Sequence, residues 1–340
     1  MKVALVKAPF KFKVEDWDIR EPDDNEALIK VKACGVCGTD LHSARTEARE
    51  WQSFGHEISG IVEKVGKNTT NVQVGQKVVV ESGSFCGECS NCRNARVDLC
   101  NDAPNVIKNV ELGYNMGFAE YVTVSKRNLV PFDGLDFATA TLIEPMGVGL
   151  DLTYVTDIEL NDNVLVVGLG PIGLMALRFA KLMGARKIFA ADLSTSNIRL
   201  QMAKEFGADE IIEVDKTSLE DYEFDCPLNK IMVTAPPKTI ESAIKIAALG
   251  ATIGYIGIKY GEGAKIQFDA NYFHFQKLQL RASFAAPAIY FPRCLELTQV
   301  GKINPKMLIT HEFGIEEIGE YIKYIDEHRE RAIKAIMINE

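Results

Sequence analysis

Val164-Leu-Val-Val-Gly-Leu-Gly-Pro-Ile-Gly173 carries the pattern on which the fold turns. Four apolar residues run into Gly168-x-Gly170-x-x-Gly173, and Pro171 opens an apolar stretch reaching Met183. A buried strand, a glycine turn and a helix bring the positive helix N-terminus up to a pyrophosphate. Gly168 permits the tight turn, Gly170 lets the backbone approach the phosphates beside Pro171 and Ile172, and Gly173 lets helix pack on strand. The glycines alone are weak evidence, but the flanking strand and helix and an acidic residue ending the next strand make the pattern specific. That residue is Asp192, closing Lys187-Ile-Phe-Ala-Ala-Asp192, where a carboxylate accepts from the ribose hydroxyls and repels a 2′-phosphate. Leu193 follows it and supplies no cation, so NAD is expected rather than NADP. Arg199, one turn into the next helix, is the residue able to soften that preference; a solvated helix charge is its simpler reading.

Outward from this turn, apolar runs at Lys187–Ala191, Lys230–Thr234 and Thr252–Gly257 alternate with helical stretches at Pro171–Met183 and Ser196–Phe206, the latter ending at Gly207. Short buried strands between helices predict an α/β domain, a doubly wound parallel sheet of the Rossmann type. Before it, stretches such as Ala27–Ala33 and Gln76–Val80 alternate in the β manner between Gly and Asn turns. After Lys277–Ser283 come helical segments at Phe291–Val300 and Ile315–Glu327 and a last apolar strand at Ala332–Ile338. The 340 residues therefore divide into a β-rich domain over 1–150, a nucleotide-binding domain over 151–285 and a C-terminal segment over 286–340.

A hydrophobic content of 47% with 25% charged residues is that of a folded globular chain. The net charge of -9 repels a phosphate backbone, and no basic run offsets it, so nucleic acid is excluded as a partner. The apolar run Val164–Leu177 stops at Arg178, short of the ~20 residues that span a bilayer, and the first residues lack the apolar segment of a secretory signal. No membrane association and a cytoplasmic location are expected. In that compartment the 8 cysteines are metal ligands or buried thiols rather than disulfides.

Cys86, Cys89, Cys92 and Cys100 follow the spacing Cys-x2-Cys-x2-Cys-x7-Cys. Four thiolates so close in a loop close a tetrahedral shell around zinc; an iron-sulfur run would need its fourth cysteine elsewhere, followed by proline. A full shell leaves no position for water or substrate, so this zinc serves structure alone. A second group is mixed: Cys34-Gly-Val-Cys-Gly-Thr-Asp-Leu-His42, then Gly55-His-Glu57. Cysteine, histidine and carboxylate together are the ligand types of an open, catalytic zinc. Cys34 and Cys37 also have redox-dithiol spacing, but such a pair belongs in a βαβ context that the surrounding β pattern does not supply.

These features in this order resemble the zinc-containing medium-chain alcohol dehydrogenase family over nearly the whole chain. The resemblance is carried by Cys37-Gly-Thr-Asp-Leu-His42, Gly55-His-Glu57, the cysteine quartet, Gly117-Phe-Ala-Glu-Tyr-Val122, Glu144-Pro145 and the glycine turn. It implies a GroES-like catalytic domain, a Rossmann domain, a C-terminal segment returning to the catalytic domain, two zinc ions per chain and assembly as a dimer or tetramer. Cys37 and His56 become catalytic zinc ligands. Alcohol dehydrogenase uses a Cys2His set; here Glu144 stands at the second cysteine's position, as in the sorbitol, threonine and sugar-acid dehydrogenase branch, and Glu57 is the competing carboxylate. Thr39 would accept the proton of the substrate hydroxyl and His42 pass it to solvent.

The branch implies a small polyol or sugar acid, a hexonate or keto-hexonate, as substrate. Arg45 and Arg49, four residues apart, would share a helix face and hold a substrate carboxylate, though such a charge run is more often a solvated face. Threonine or a simple secondary alcohol is the alternative substrate, and a zinc- and NAD-binding sensor or scaffold the non-enzymatic one. The presence of Cys37, Thr39, His42, His56 and Glu144 together argues against the scaffold.

Overall fold

The computed structural model describes residues 1–102, 105–286 and 288–340. It divides into two compact units, one of residues 1–147 with 285–340, the other of residues 148–284. In the second unit six strands pair in the order Glu210–Glu213, Lys187–Asp192, Asn163–Val167, Leu228–Val233, Ala247–Tyr255, Gln279–Ala282, every pair parallel. The chain starts in the middle, winds to one edge, then returns and winds to the other, which opens a crevice at the carboxyl ends beside Asn163–Val167. All five residues of that strand are buried, as a strand covered on both faces must be, and its Leu165 packs with Phe189, Ile231 and Ile253.

Helix Pro171–Leu182 starts on Gly170 with proline in its first turn, where the missing N–H costs nothing. Helix Asn197–Phe206 ends on Gly207 at φ +109°, a left-handed cap. The expected α/β class and parallel sheet are present.

The first unit is built on antiparallel pairing. Its larger sheet runs Ile309–Phe313, Lys334–Ile338, Glu26–Gly35, Glu57–Val65, Lys77–Val80, Leu129–Pro131, with Tyr121–Ser125 also paired to Glu26–Gly35. Its parallel pair is Ile309–Phe313 with Lys334–Ile338. Strand Lys334–Ile338 lies antiparallel to Glu26–Gly35, with Ile336 opposite Gly35 and Met337 opposite Cys34. The core gathers Val31, Phe54, Ile58, Phe118, Ile322 and Met337, the rings of Phe54 and Phe118 standing 4.7 Å apart.

Two details differ from the sequence reading. The segment expected to be one helix from Ile315 divides into a 3-10 turn, Ile315–Glu317, and helix Ile318–Glu327. Glu144, where the sequence pattern predicts no helix, sits in the first turn of helix Ile143–Val155; the neighbouring Pro145 is tolerated there because no first-turn N–H has an intrahelical partner. Among the described residues no helix is long and apolar enough to cross a membrane.

Candidate metal centres and nucleotide turn

Strand Glu26–Gly35 ends just before Cys37, which caps the short helix Gly38–His42 in an extended conformation. Asp40 returns Oδ2 to the Cys37 backbone N–H at 2.8 Å, closing a capping box, while its Oδ1 accepts from the Gly55 N–H at 3.2 Å. This buried carboxylate thus ties the Cys37 loop to the segment that ends in His56 and Glu57. Glu57 opens the strand Glu57–Val65 opposite Gly35. Cys37 Sγ, a ring nitrogen of His56 and a carboxylate oxygen of Glu57 come within 4.8 Å of one another. His56 and Glu57 are buried and Cys37 half-buried.

Cys34 is not part of this group. It is fully buried in its strand, and burial pushes its thiol well above the ordinary range.

Burial pushes the His56 imidazole down, but the charge and hydrogen bond of Cys37, with Asp40 and Glu144, outweigh it and leave the ring well above 6.5. Glu57 is raised by burial, opposed by Lys334. Lys334, buried in strand Lys334–Ile338, donates Nζ to the Val36 carbonyl at 2.8 Å and to Glu57 Oε1. Burial lowers its affinity for the proton, yet Glu57 and Cys37 more than restore it, so the ammonium stays charged.

Glu57 Oε2 is buried with no hydrogen-bond partner, the orphaned atom expected of a metal-ligand cluster. A Cβ at Gly35 would stand 2.1 Å from it, so glycine there leaves the carboxylate its room. Glu144, also buried, accepts from Ser82 Oγ at 3.1 Å and acts on both His56 and Glu57 through its charge, but lies outside the group of three. Thr39 is exposed on the short helix; His42, one turn on, is half-buried with Nδ1 3.4 Å from Thr46 Oγ1.

The sulfurs of Cys86, Cys89, Cys92 and Cys100 also lie within 4.8 Å of one another. Backbone N–H groups of Glu88 and Cys89 donate to Cys86 Sγ at 3.5 and 3.3 Å, and the Cys86 N–H donates to Cys100 Sγ at 3.2 Å. Such donors favour thiolate: the Cys92 backbone N–H leads in bringing Cys89 down to about 6, while burial holds Cys92 up at about 12. A metal ion would take the remaining proton's place.

In the other unit Gly168 has φ +92°, and a Cβ there would meet the Ala235 nitrogen at 2.7 Å. At Gly173 it would meet the Gly168 carbonyl oxygen at 2.0 Å, whereas at Gly170 it would meet nothing within 4 Å. The chain's own packing does not require glycine at 170. Pro171 and Ile172 form the first turn of the helix that follows. Asp192 accepts from the Leu169 N–H through Oδ2 and the Leu193 N–H through Oδ1, both at 2.8 Å, which binds it to the turn. Asp215 accepts from the Ser194 N–H at 2.6 Å and Oγ at 2.7 Å, a second carboxylate, held by the residue two along from Asp192. Arg199 lies within helix Asn197–Phe206.

The proposed arginine clamp takes a different form. Ser43–Glu47 is a π-helical turn that ends at Ala48, whose N–H bonds to the Ser43 carbonyl at 3.0 Å. Arg49 lies beyond that end, so the two arginines do not share a helix face. Arg45 pairs with Asp326, which also holds Arg329 at 2.8 Å.

Sequence reasoning passed over Asp40, Ser82, Lys334 and Asp215. For Lys334 the signal was present: a lysine amid Ala332–Ile338, where every other residue is apolar.

Residues 23–134 match the alcohol dehydrogenase GroES-like domain, and residues 171–299 match the zinc-binding dehydrogenase family. The L-galactonate-5-dehydrogenase of Escherichia coli (strain K12) is 31% identical over 333 residues, 94% of this chain and 94% of its own length. The sorbitol dehydrogenase of Bacillus subtilis (strain 168) is 28% identical, over 99% of this chain and 97% of its own. A crystal structure of a short chain alcohol dehydrogenase from E. coli CFT073, complexed with cofactor NADH, has a TM-score of 0.90 at 26% identity, covering 100% of this chain and 99% of that one.

Proposed function

This chain belongs to the zinc-containing medium-chain alcohol dehydrogenase family and is an oxidoreductase acting on CH–OH donors, and on that basis we propose that it interconverts a secondary alcohol and a ketone on a polyol or hexonate with NAD. The observation that carries the reading is the convergence of Cys37, His56 and Glu57 within 4.8 Å, three unlike ligands with a fourth candidate, Glu144, close by. Cys37 and His56 hold the catalytic ion, with Glu144 or Glu57 completing the set, and the quartet Cys86, Cys89, Cys92, Cys100 holds a second, structural zinc. When bound, the catalytic ion supplies Lewis acidity to a substrate oxygen, and the nicotinamide supplies the hydride acceptor.

The chain's own residues do the rest. Asp40 fixes the Cys37 and Gly55 backbones, so the ligands arrive pre-positioned. Thr39 Oγ1 would accept the hydroxyl proton while releasing its own into a relay through the cofactor ribose, from which His42 would hand a proton to water. Gly168, Gly170 and Gly173 admit the dinucleotide pyrophosphate, with Pro171 and Ile172 opening the helix beneath it, and Asp192 takes the ribose hydroxyls. Asp192 and the neighbouring Asp215 disfavour a 2′-phosphate, which Arg199 offsets weakly.

The kinship to enzymes named for galactonate and sorbitol supports a polyhydroxylated substrate over a simple alcohol. The Asp326 pairing leaves Arg45 a weaker claim on a substrate carboxylate. Self-association is part of the proposal: strand Gln279–Ala282 ends its sheet with one described neighbour. The deciding experiment is a panel of hexonates, polyols, threonine and simple secondary alcohols with NAD and NADP, read by reduced-cofactor absorbance. Turnover of a hexonate or polyol with NAD is expected; turnover confined to threonine or to simple alcohols overturns the substrate assignment.

A further inference from the structure

Lys334 brings an ammonium into the interior, 3% exposed, in a strand otherwise made of Ala, Ile and Met. Both of its contacts fall on the frame of the mixed cluster: the Val36 carbonyl, immediately before Cys37, and Glu57 Oε1, immediately after His56. Glu57 Oε2 has no partner. One imidazole, one thiolate and the two carboxylates of Glu57 and Glu144 are enough protein ligands to fill a four-coordinate shell, as the cysteine quartet does, and a filled shell admits no substrate.

We propose that Lys334 is a positioning residue that tethers Glu57 through Oε1, so that Cys37, His56 and Glu144 hold the ion with one position left open. The inference rests on the reading of this cluster as the catalytic metal site. A buried ammonium-carboxylate pair is strong once formed: it keeps Oε1 and much of the carboxylate's charge on the lysine, so the unpartnered Oε2 is a weak donor to the ion while the tether holds. Without the ammonium, Glu57 becomes a buried carboxylate whose best remaining partner is the metal itself. Losing the tether therefore grips the ion more tightly while shutting out other ligands. A lysine that merely supported the fold would, when removed, loosen the ion.

The test uses the full chain with cobalt(II) in place of zinc, whose visible bands report coordination; the bands absent from Cys37→Ser belong to this site. Imidazole is the outside ligand. The wild-type bands should shift on imidazole addition, and Lys334→Arg should behave alike. Lys334→Met should show no shift and lose its zinc to a chelator roughly tenfold more slowly. The double variant Glu57→Gln/Lys334→Met should respond again. A Lys334→Met protein that answers imidazole as the wild type does, or releases zinc faster, overturns the proposal.

If Lys334→Met does not fold, Glu57→Gln supplies the test from the other side. It leaves the ammonium unpaired beside the ion and should release zinc roughly tenfold faster, with the double variant restoring the wild-type rate; equal rates in the two overturn the proposal. If Cys37→Ser removes neither cobalt bands nor zinc, the metal reading itself has failed and the tether falls with it, a result distinct from every other.

Discussion

The four cysteines of residues 86–100 and the group of Cys37, His56 and Glu57 sit in the same unit but meet the problem of gathering charge in opposite ways. The quartet uses four identical soft ligands from one short loop, most of them half-buried, and its thiolates are supported by backbone N–H groups of the same loop. The mixed group draws on two separate segments, buries two of its three members, and answers its anions with an ammonium 277 residues further along. Identical ligands in a loop need only sequence proximity. Unlike ligands in the interior need the whole unit, because a buried charge without a counter-charge is too costly to keep.

The largest test of this contrast is Cys37→Ser. Turnover should fall on the order of a thousandfold or more, while cofactor binding and one zinc per chain, that of the quartet, persist. Turnover assays, NADH fluorescence titration and metal analysis check the three parts; loss of all zinc would mean that the two clusters are not independent.

Cys92→Ser reverses the pattern. It should remove the quartet's ion and cost about 3 kcal/mol or more of unfolding free energy, read by urea denaturation, with the cluster at Cys37 still metallated.

A smaller effect sharpens the link between the clusters. Glu81 lies on the segment between them, beside the Ser82 that bonds Glu144, and burial holds its carboxyl up at about 8 against the hydrogen bond from Ser84. Below 4.5 it is neutral in both folded and unfolded chains. Between 4.5 and 8 the unfolded chain releases a proton that the folded one keeps, so stability falls as pH rises through that window. Glu81→Gln removes the penalty: its Tm should match the wild type at pH 4 and exceed it by about 3 °C at pH 9. A gain of equal size at both pH values would show that the group does not titrate there.

The legibility of each region followed its locality. The parallel sheet was readable because each strand is a short apolar run and each helix has a local start or stop, such as Pro171 or Gly207. The quartet and the glycine turn were readable for the same reason: all their members lie within 15 or fewer residues of chain. Glu144 was read as a metal-ligand candidate, but not its helix, because an apolar Leu-Ile-Glu-Pro run suits a buried strand or a buried helix equally. The partners Asp40, Ser82 and Lys334 escaped because their roles depend on what lies across the fold. Nothing local to Lys334 names Glu57. The arginine clamp erred in a related way, since spacing of four predicts a shared face only where an α-helix runs through both residues, and the turn at Ser43–Glu47 closes before Arg49.

The pairing of strand Lys334–Ile338 with Glu26–Gly35 also sets an order in time. During synthesis Cys37, His56 and Glu57 emerge with two to three hundred residues still to be added before Lys334 follows them. The quartet's sulfurs come from one short loop that can close while the ribosome is still at work, whereas the mixed group gains its counter-charge only once Lys334 has been added.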